Sequence, residues 1–120
     1  MTISTVFGET IRNDYGGNLQ QYTIRNATAK LQGRNAVIAG ECSSACVTAL
    51  PRACLRPSAR LGFHSPANGS KVDIASARNT LARHMPRPMA NWYMSGPAYV
   101  TDGAVYLDYQ AAIKLGAMPC

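Results

Sequence analysis

The chain has little charge, few cysteines and no long run of apolar residues. No stretch reaches the length of about 18 consecutive apolar residues that a membrane-spanning helix requires, so a membrane span is excluded. Charged residues make up 15% of the sequence and hydrophobic residues 47%, which excludes a disordered chain. Repeats, linkers and low-complexity tracts are also missing. Residues 1–120 are therefore predicted to form a single domain with one core.

The N-terminus, MTISTVFGETIRND, lacks a basic segment followed by an apolar run. As written, it is not a secretory signal peptide. The expected location is therefore the cytoplasm or a virion, or the periplasm if a leader has been processed away.

The net charge is +6, and nine of the twelve basic residues are arginines scattered along the chain. A basic surface attracts nucleic acid or acidic partners. However, the sequence has no pattern of basic and aromatic residues that matches a nucleic-acid-binding module. Nucleic acid is therefore not an expected partner.

Four cysteines lie at positions 42, 46, 54 and 120. A zinc site needs four ligands, commonly in closely spaced pairs. The first three cysteines form no C-x-x-C pair and have only His64 as a nearby fourth candidate, so no metal or cofactor is expected. A Cys42–Cys54 or Cys46–Cys54 disulfide is expected if the protein is exported. Otherwise, Cys42 and Cys46 are small buried residues.

Short apolar runs alternate with helical patterns. Strands are predicted at residues 4–12, 36–40 and 59–64, with a short extended segment before the last helix. Helices are predicted at 17–31, from Ser44, from Lys71, near 89–96 and after Asp108. Ser70 with Asp73 is predicted to cap the longest helix, and Asp108 and Gly116 are predicted to cap the two ends of the last helix. The order β-α-β-α-β-α-α-β-α predicts an α/β fold with a mostly parallel sheet and flanking helices.

Residues that are typical of functional sites, namely glycine, serine and histidine, follow three of the predicted strands. In α/β folds, functional groups gather at the carboxyl ends of strands. This would bring together backbone amides near Gly17, the hydroxyl of Ser44 and the imidazole of His64, which are the parts needed for acyl transfer. Asp102 and Asp108 are the late candidates for a carboxylate that orients the histidine.

Each of these residues also has a structural interpretation. Ser44 could be a plain helix N-cap, and Ser43 could instead be the cap or the nucleophile. His64 could be a structural residue at a strand end, and Asp102 a turn residue. Cys46 is a weaker nucleophile candidate because it lies half a turn into the helix.

Residues 14–116 resemble the core of the proteolytic subunit of Clp-type proteases, within the Clp protease–crotonase fold. The stretch DYGGNLQQYTIRNATAKLQGRNAVIAGECSSACVTAL is similar in layout to the family's glycine turn, helix, buried strand and serine turn. RPSARLGFHSP resembles its histidine segment, and VYLDYQAAIKLGA resembles a late segment. CSSAC together with GFH is most similar to divergent bacterial Clp-protease-like proteins, which are often predicted to be periplasmic.

The resemblance implies a role for each matching residue. Ser44 would be the nucleophile and His64 the general base. Gly17 and Ala45 would supply the amides of an oxyanion hole. It also implies a homo-oligomer.

The acidic residue is where the sequence departs from the family pattern. Ala104 lies at the usual aspartate position, so Asp102, two residues earlier, is the expected replacement. The predicted function is a peptidase-like serine hydrolase that acts on a peptide or protein. The alternative is a non-catalytic structural or assembly module of the same fold, for example a phage virion component.

Overall fold

A computed structural model describes residues 7–67 and 70–120. The strands are β1 Phe7–Asp14, β2 Asn35–Ser43, β3 Ala53–Leu55, β4 Arg60–Phe63 and β5 Val105–Asp108. The α-helices are α1 Leu19–Leu31, α2 Lys71–Arg83, α3 Arg87–Ser95 and α4 Tyr109–Lys114, and 3-10 helices span Ser44–Arg52 and Pro97–Tyr99. Residues 4–6 of the first predicted strand lie outside the described residues. No described helix has the length and apolar character needed to cross a membrane.

The five strands form one mixed sheet in the order β1-β2-β4-β5. β2 pairs in parallel with β1, with β3 through residues 36–38 and with β4 through residues 41–43. β5 pairs with β4 in the antiparallel sense. Three of the four strand pairings are parallel, in agreement with the predicted mostly parallel sheet, and β5 is the antiparallel exception. The α/β class is confirmed.

The core is built around β2, whose residues 36–39 are apolar and buried. An uninterrupted apolar run is typical of a strand that is covered on both faces. Phe63, at the end of β4, packs edge-to-face against Trp92 of α3, with ring centroids 5.0 Å apart. This contact holds α3 next to the end of β4.

The predicted caps are confirmed. The Ser70 side chain accepts a hydrogen bond from the Asp73 backbone, and the Asp73 side chain accepts one from the Ser70 backbone, which completes a capping box for α2. The Ser70 hydroxyl also donates a hydrogen bond of 2.8 Å to the Asp73 carboxylate, and this bond, together with the one from the Ser70 N–H, lowers the pKa of Asp73. Asp108 caps α4 by accepting a hydrogen bond from the Ala111 backbone. Gly116 follows that helix in a left-handed conformation.

The segment after β2 differs from its prediction. Ser44–Arg52 is a 3-10 helix rather than an α-helix, and Pro51 near its end cannot donate a backbone hydrogen bond. The expected irregular connection contains β3, which forms because residues 53–55 align with residues 36–38 of β2.

Buried polar contacts fix the 3-10 helix to its neighbours. The Arg52 side chain is 3% exposed and pairs with Glu9 of β1. It also donates a hydrogen bond of 2.8 Å to Asn26 of α1, which in turn donates one of 2.8 Å to Thr48. Because unpaired buried polar groups are costly, these contacts favour one position of the helix behind the sheet.

The cysteines form two disulfides, Cys42–Cys46 and Cys54–Cys120. The predicted pairings of Cys54 with Cys42 or Cys46 are wrong. Cys54 lies opposite Val37 of β2. Cys42 is five residues further along that strand, about 16 Å away at the usual rise, which is beyond disulfide reach.

Candidate functional site

The carboxyl ends of three neighbouring strands meet at one edge of the sheet. β1 ends at Asp14, which pairs with Cys42. β2 ends at Ser43, which pairs with Gly62 of β4. Ser44 is therefore the first residue beyond β2, with the Gly16–Gly17 turn of β1 on one side. His64, the first residue beyond β4, is on the other.

Ser44 has a φ of 58°, and it is the one non-glycine residue with positive φ among the described residues. This left-handed conformation is uncommon for a residue with a side chain. Ser44 is also the first residue of the 3-10 helix, whose N-cap is Ser43. The backbone therefore turns sharply from strand to helix at Ser44, and the residue does not act as the N-cap.

Ser43 is buried, and its hydroxyl is bound to another side chain. Its exposed fraction is 5%, and its hydroxyl donates a hydrogen bond of 3.0 Å to Glu41. The hydroxyl occupies the space beside Gly62, where a Cβ would collide with it. Ser43 also makes no side-chain hydrogen bond to the helix that it precedes.

The Gly16–Gly17 turn is anchored by Asp14. One carboxylate oxygen of Asp14 accepts hydrogen bonds from the Gly16 N–H, at 2.9 Å, and from the Tyr22 hydroxyl, at 2.8 Å. Burial raises the pKa of Tyr22, and the hydrogen bond to Asp14 and its negative charge raise it further. The phenol therefore stays protonated and keeps donating this hydrogen bond at neutral pH.

Gly16 packs directly against the serine turn. Its φ is +90°, and a Cβ placed on it would lie 2.8 Å from Ser44 Cβ, 2.9 Å from Ser43 O and 3.0 Å from Ala45 N. Only glycine fits both the conformation and the available space. The two turns therefore fit each other through backbone contact.

Two backbone amides are available near Ser44. Within residues 7–67 and 70–120, no hydrogen bond to the Gly17 N–H is found. Ala45 lies in the first turn of the 3-10 helix, where N–H groups lack partners within the helix. Gly17 and Ala45 both line the groove described below, as Ser44 does.

The His64 ring is oriented by a backbone carbonyl. Its Nδ1 lies 2.7 Å from the carbonyl oxygen of Ser65. A carbonyl can only accept a hydrogen bond, so Nδ1 carries the proton, and Nε2 of the neutral ring can accept one. The His64 backbone carbonyl accepts a hydrogen bond of 3.1 Å from the Tyr93 hydroxyl. Burial raises the pKa of Tyr93 to about 12.

The residue that orients the ring is itself held in place. The Ser65 N–H donates a hydrogen bond of 2.8 Å to the Val100 carbonyl. Its hydroxyl accepts one of 3.2 Å from Arg78, which also donates one of 2.9 Å to the Ala98 carbonyl. Arg78 stacks over the Tyr99 ring at 4.3 Å. The Ser65 carbonyl therefore has a fixed position relative to the histidine.

The candidate acids are not in contact with His64. Among the described residues, no carboxylate forms a hydrogen bond or ion pair with the His64 ring, nor does the Ser44 hydroxyl. Asp102 is exposed in the bend three residues before Val105, which pairs with Phe63. Asp108 caps α4.

A groove of about 1010 Å³ runs between α1 and α2, with Ser44 and Ala45 in its lining. Leu19 and Ile24 of α1 and Ile74 and Leu81 of α2 contribute apolar surface; the other lining residues are Gly17, Asn18, Gln20, Thr23, Pro66, Ala67, Asp73, Ser76, Ala77, Thr80 and Arg83. The serine turn thus faces an open channel rather than a closed cavity.

Few patterns in the sequence pointed to the residues that support the site. Asp14 precedes a glycine pair, which is a common turn pattern, but nothing pointed to its hydrogen bond with Tyr22. The Ser65 carbonyl was not predictable, because a backbone group leaves no signature in residue type. Cys42 and Cys46 stand out in the sequence as CSSAC, but no pattern indicated that they form a disulfide with each other.

The fold is similar to that of ClpP1 from Listeria monocytogenes, solved as a mutant. The TM-score is 0.64 and the sequence identity is 21%, and the match covers 91% of this chain and 71% of the ClpP1 chain. The chain therefore has a Clp protease-like fold, as the resemblance implied. No protein-family model and no curated protein sequence matches it.

Proposed function

We propose that this protein is a serine hydrolase, with Ser44 as the nucleophile and His64 as the general base. The observation that carries the proposal is the left-handed conformation of Ser44 at a strand-to-helix turn beside the groove. Strained backbone at a non-glycine residue is concentrated at functional sites. A hydroxyl presented in this way is accessible to a substrate carbonyl.

In the proposed reaction, Ser44 Oγ attacks the carbonyl carbon and its proton passes to His64 Nε2. The N–H groups of Gly17 and Ala45 stabilise the negative charge that develops on the carbonyl oxygen. His64 then returns the proton to the leaving group, and a water molecule hydrolyses the acyl-enzyme by the same route.

The orienting group in this proposal is the Ser65 carbonyl. A base in acyl transfer must have its proton on the nitrogen that faces away from the nucleophile. The hydrogen bond from Nδ1 to Ser65 favours this tautomer, as a carboxylate would. The carbonyl lacks a full negative charge, so it stabilises the charged imidazolium less than a carboxylate would.

The groove favours a peptide or protein substrate. Its volume of about 1010 Å³ is at the upper end for small-molecule pockets, and it is open to solvent rather than enclosed. The apolar residues Leu19, Ile74 and Leu81 line it and would accept apolar side chains. No step of the proposed reaction needs a metal or cofactor.

Labelling with a fluorophosphonate probe tests the nucleophile. We expect the folded wild type to gain one probe molecule, which peptide mapping places on Ser44. Ser44→Ala should abolish labelling, whereas Ser43→Ala, the matched control, should retain it because the Ser43 hydroxyl is bound to Glu41. Absence of labelling in the folded wild type, or a label on another residue, would favour the non-catalytic module.

Asp102→Asn tests whether His64 is oriented by the Ser65 carbonyl or by Asp102, the acid predicted from the sequence. The Asp102 carboxylate is exposed and does not contact the ring, so its removal should change kcat/KM by no more than about fivefold, the usual limit for an exposed charge. Steady-state kinetics on a chromogenic ester would measure this. A loss of about 1000-fold or more would instead assign the orienting role to Asp102.

A further inference from the structure

We propose that the Cys42–Cys46 disulfide is a positioning element that holds Ser44 in its left-handed conformation, so that the reactivity of Ser44 depends on this bond. The inference rests on the proposed role of Ser44. The disulfide joins the end of β2 to the first turn of the 3-10 helix, and Ser44 is the midpoint of the span that it closes.

Both ends of the bond are fixed in the core. Cys42 is fully buried, and Cys46 is 1% exposed. Cys42 belongs to a strand that is paired on both sides, with Asp14 of β1 and with Leu61 of β4. Movement of the serine turn relative to the sheet is therefore opposed by a covalent link rather than by packing alone.

The serine turn lacks the hydrogen bond that an N-cap side chain usually supplies. The N-cap residue, Ser43, makes no side-chain hydrogen bond to the helix, because its hydroxyl is bound to Glu41. On one side, Gly16 packs against Ser44, but this is a contact without a hydrogen bond. A residue with a side chain leaves the left-handed region unless its surroundings hold it there. The disulfide is the covalent restraint in this position.

Loss of the bond should therefore act on two parts of the site at once. A change in the Ser44 backbone moves its hydroxyl, and it also turns the N–H of Ala45, the next residue. The groove walls on α1 and α2 are separate elements and stay in place. We thus expect the chemical step to slow while binding in the groove is maintained.

The second disulfide provides a matched control. Cys54–Cys120 joins β3 to the C-terminus, and β3 lies beside residues 36–38, at the far end of β2 from Ser44. Its removal takes away the same chemical bond without affecting the serine turn.

The experiment compares Cys42→Ala/Cys46→Ala with Cys54→Ala/Cys120→Ala under non-reducing conditions, at a temperature where circular dichroism shows both to be folded. The rate of fluorophosphonate inactivation, measured against probe concentration, gives kinact and KI. Removing Cys42–Cys46 should lower kinact by about tenfold or more and leave KI within about twofold. The control should lower Tm and leave kinact unchanged. An equal kinact in the two folded variants would overturn the proposal.

A second variant and a second readout keep the outcome decisive. Cys42→Val/Cys46→Ala restores apolar volume on β2, and it should show the same fall in kinact. If neither variant folds, the proposal is wrong, because the bond then specifies the fold rather than the turn. Amide hydrogen exchange should be faster in the folded variants at Val47 and Thr48, whose N–H groups bond to the Ser44 and Ala45 carbonyls in the 3-10 helix, and unchanged exchange would contradict the proposal. This readout needs no activity, so an unlabelled wild type would refute the hydrolase alone.

Discussion

His64→Ala is expected to lower kcat/KM by about 1000-fold, because a positioned general base contributes about 10²- to 10⁴-fold to the rate. The neutral ring has its proton on Nδ1 and an accepting Nε2 at the same edge of the sheet as Ser44. Without the ring, the Ser44 proton loses the acceptor that the proposed reaction assigns to it. Most of the loss should fall on kcat, because the ring is not part of the groove lining.

His84→Ala is the matched control for this prediction. His84 also has its Nδ1 2.7 Å from a backbone carbonyl, that of Thr80, and it is also half-buried, but it caps the end of α2. Its loss should change stability and leave kcat unchanged. Steady-state kinetics on a chromogenic ester, with stopped-flow measurement of the acylation step, would compare the two variants. Equal activity of His64→Ala and the wild type would refute the proposed base.

Gly16→Ala is expected to lower kcat/KM by about 100-fold, the size of effect that a displacement of about 1 Å produces in an active site. The added Cβ would lie 2.8 Å from Ser44 Cβ and 3.0 Å from the Ala45 nitrogen. Both neighbours belong to the serine turn, so relief of the clash displaces the proposed nucleophile and one of the proposed oxyanion amides together. The fluorophosphonate labelling rate should fall in parallel.

Gly33→Ala is the matched control, because it carries the cost of alanine in a left-handed conformation without the steric clash that Gly16→Ala creates. Gly33 also has positive φ, at +69°, but nothing lies within 4 Å of a Cβ placed there. Both variants carry the cost of alanine in a left-handed conformation. Only Gly16→Ala should also impair catalysis. Similar losses of stability with equal activity in the two variants would contradict the close fit between the turns.

Local features of the fold followed from local sequence. The capping box of α2 and the cap of α4 were predictable because each depends on residues three positions apart. The buried strand β2 was predictable because an apolar run that short must be covered on both faces. The antiparallel direction of β5 was not, because alternation along a strand carries no information about the direction of its neighbour.

Side-chain identity also pointed to part of the site. Ser44 and His64 each follow a predicted strand, and the sheet places both at one edge, next to the glycine pair. The orienting group was not predictable in the same way. The sequence favoured Asp102 because a carboxylate is the usual partner, whereas the ring bonds the carbonyl of Ser65.

By itself, the sequence determined the α/β class, the C-terminal end of α1, the start of α2, both ends of α4 and the three segments that could carry acyl-transfer chemistry. Patterns of apolar, capping and turn residues act over a few positions, so they can be interpreted without a model of the whole chain. Tertiary structure alone decided the disulfide partners, the backbone of Ser44 and the orientation of His64. These depend on which segments meet in space: Cys54 meets Cys120 across 66 residues, and Gly16 meets Ser44 across the sheet edge.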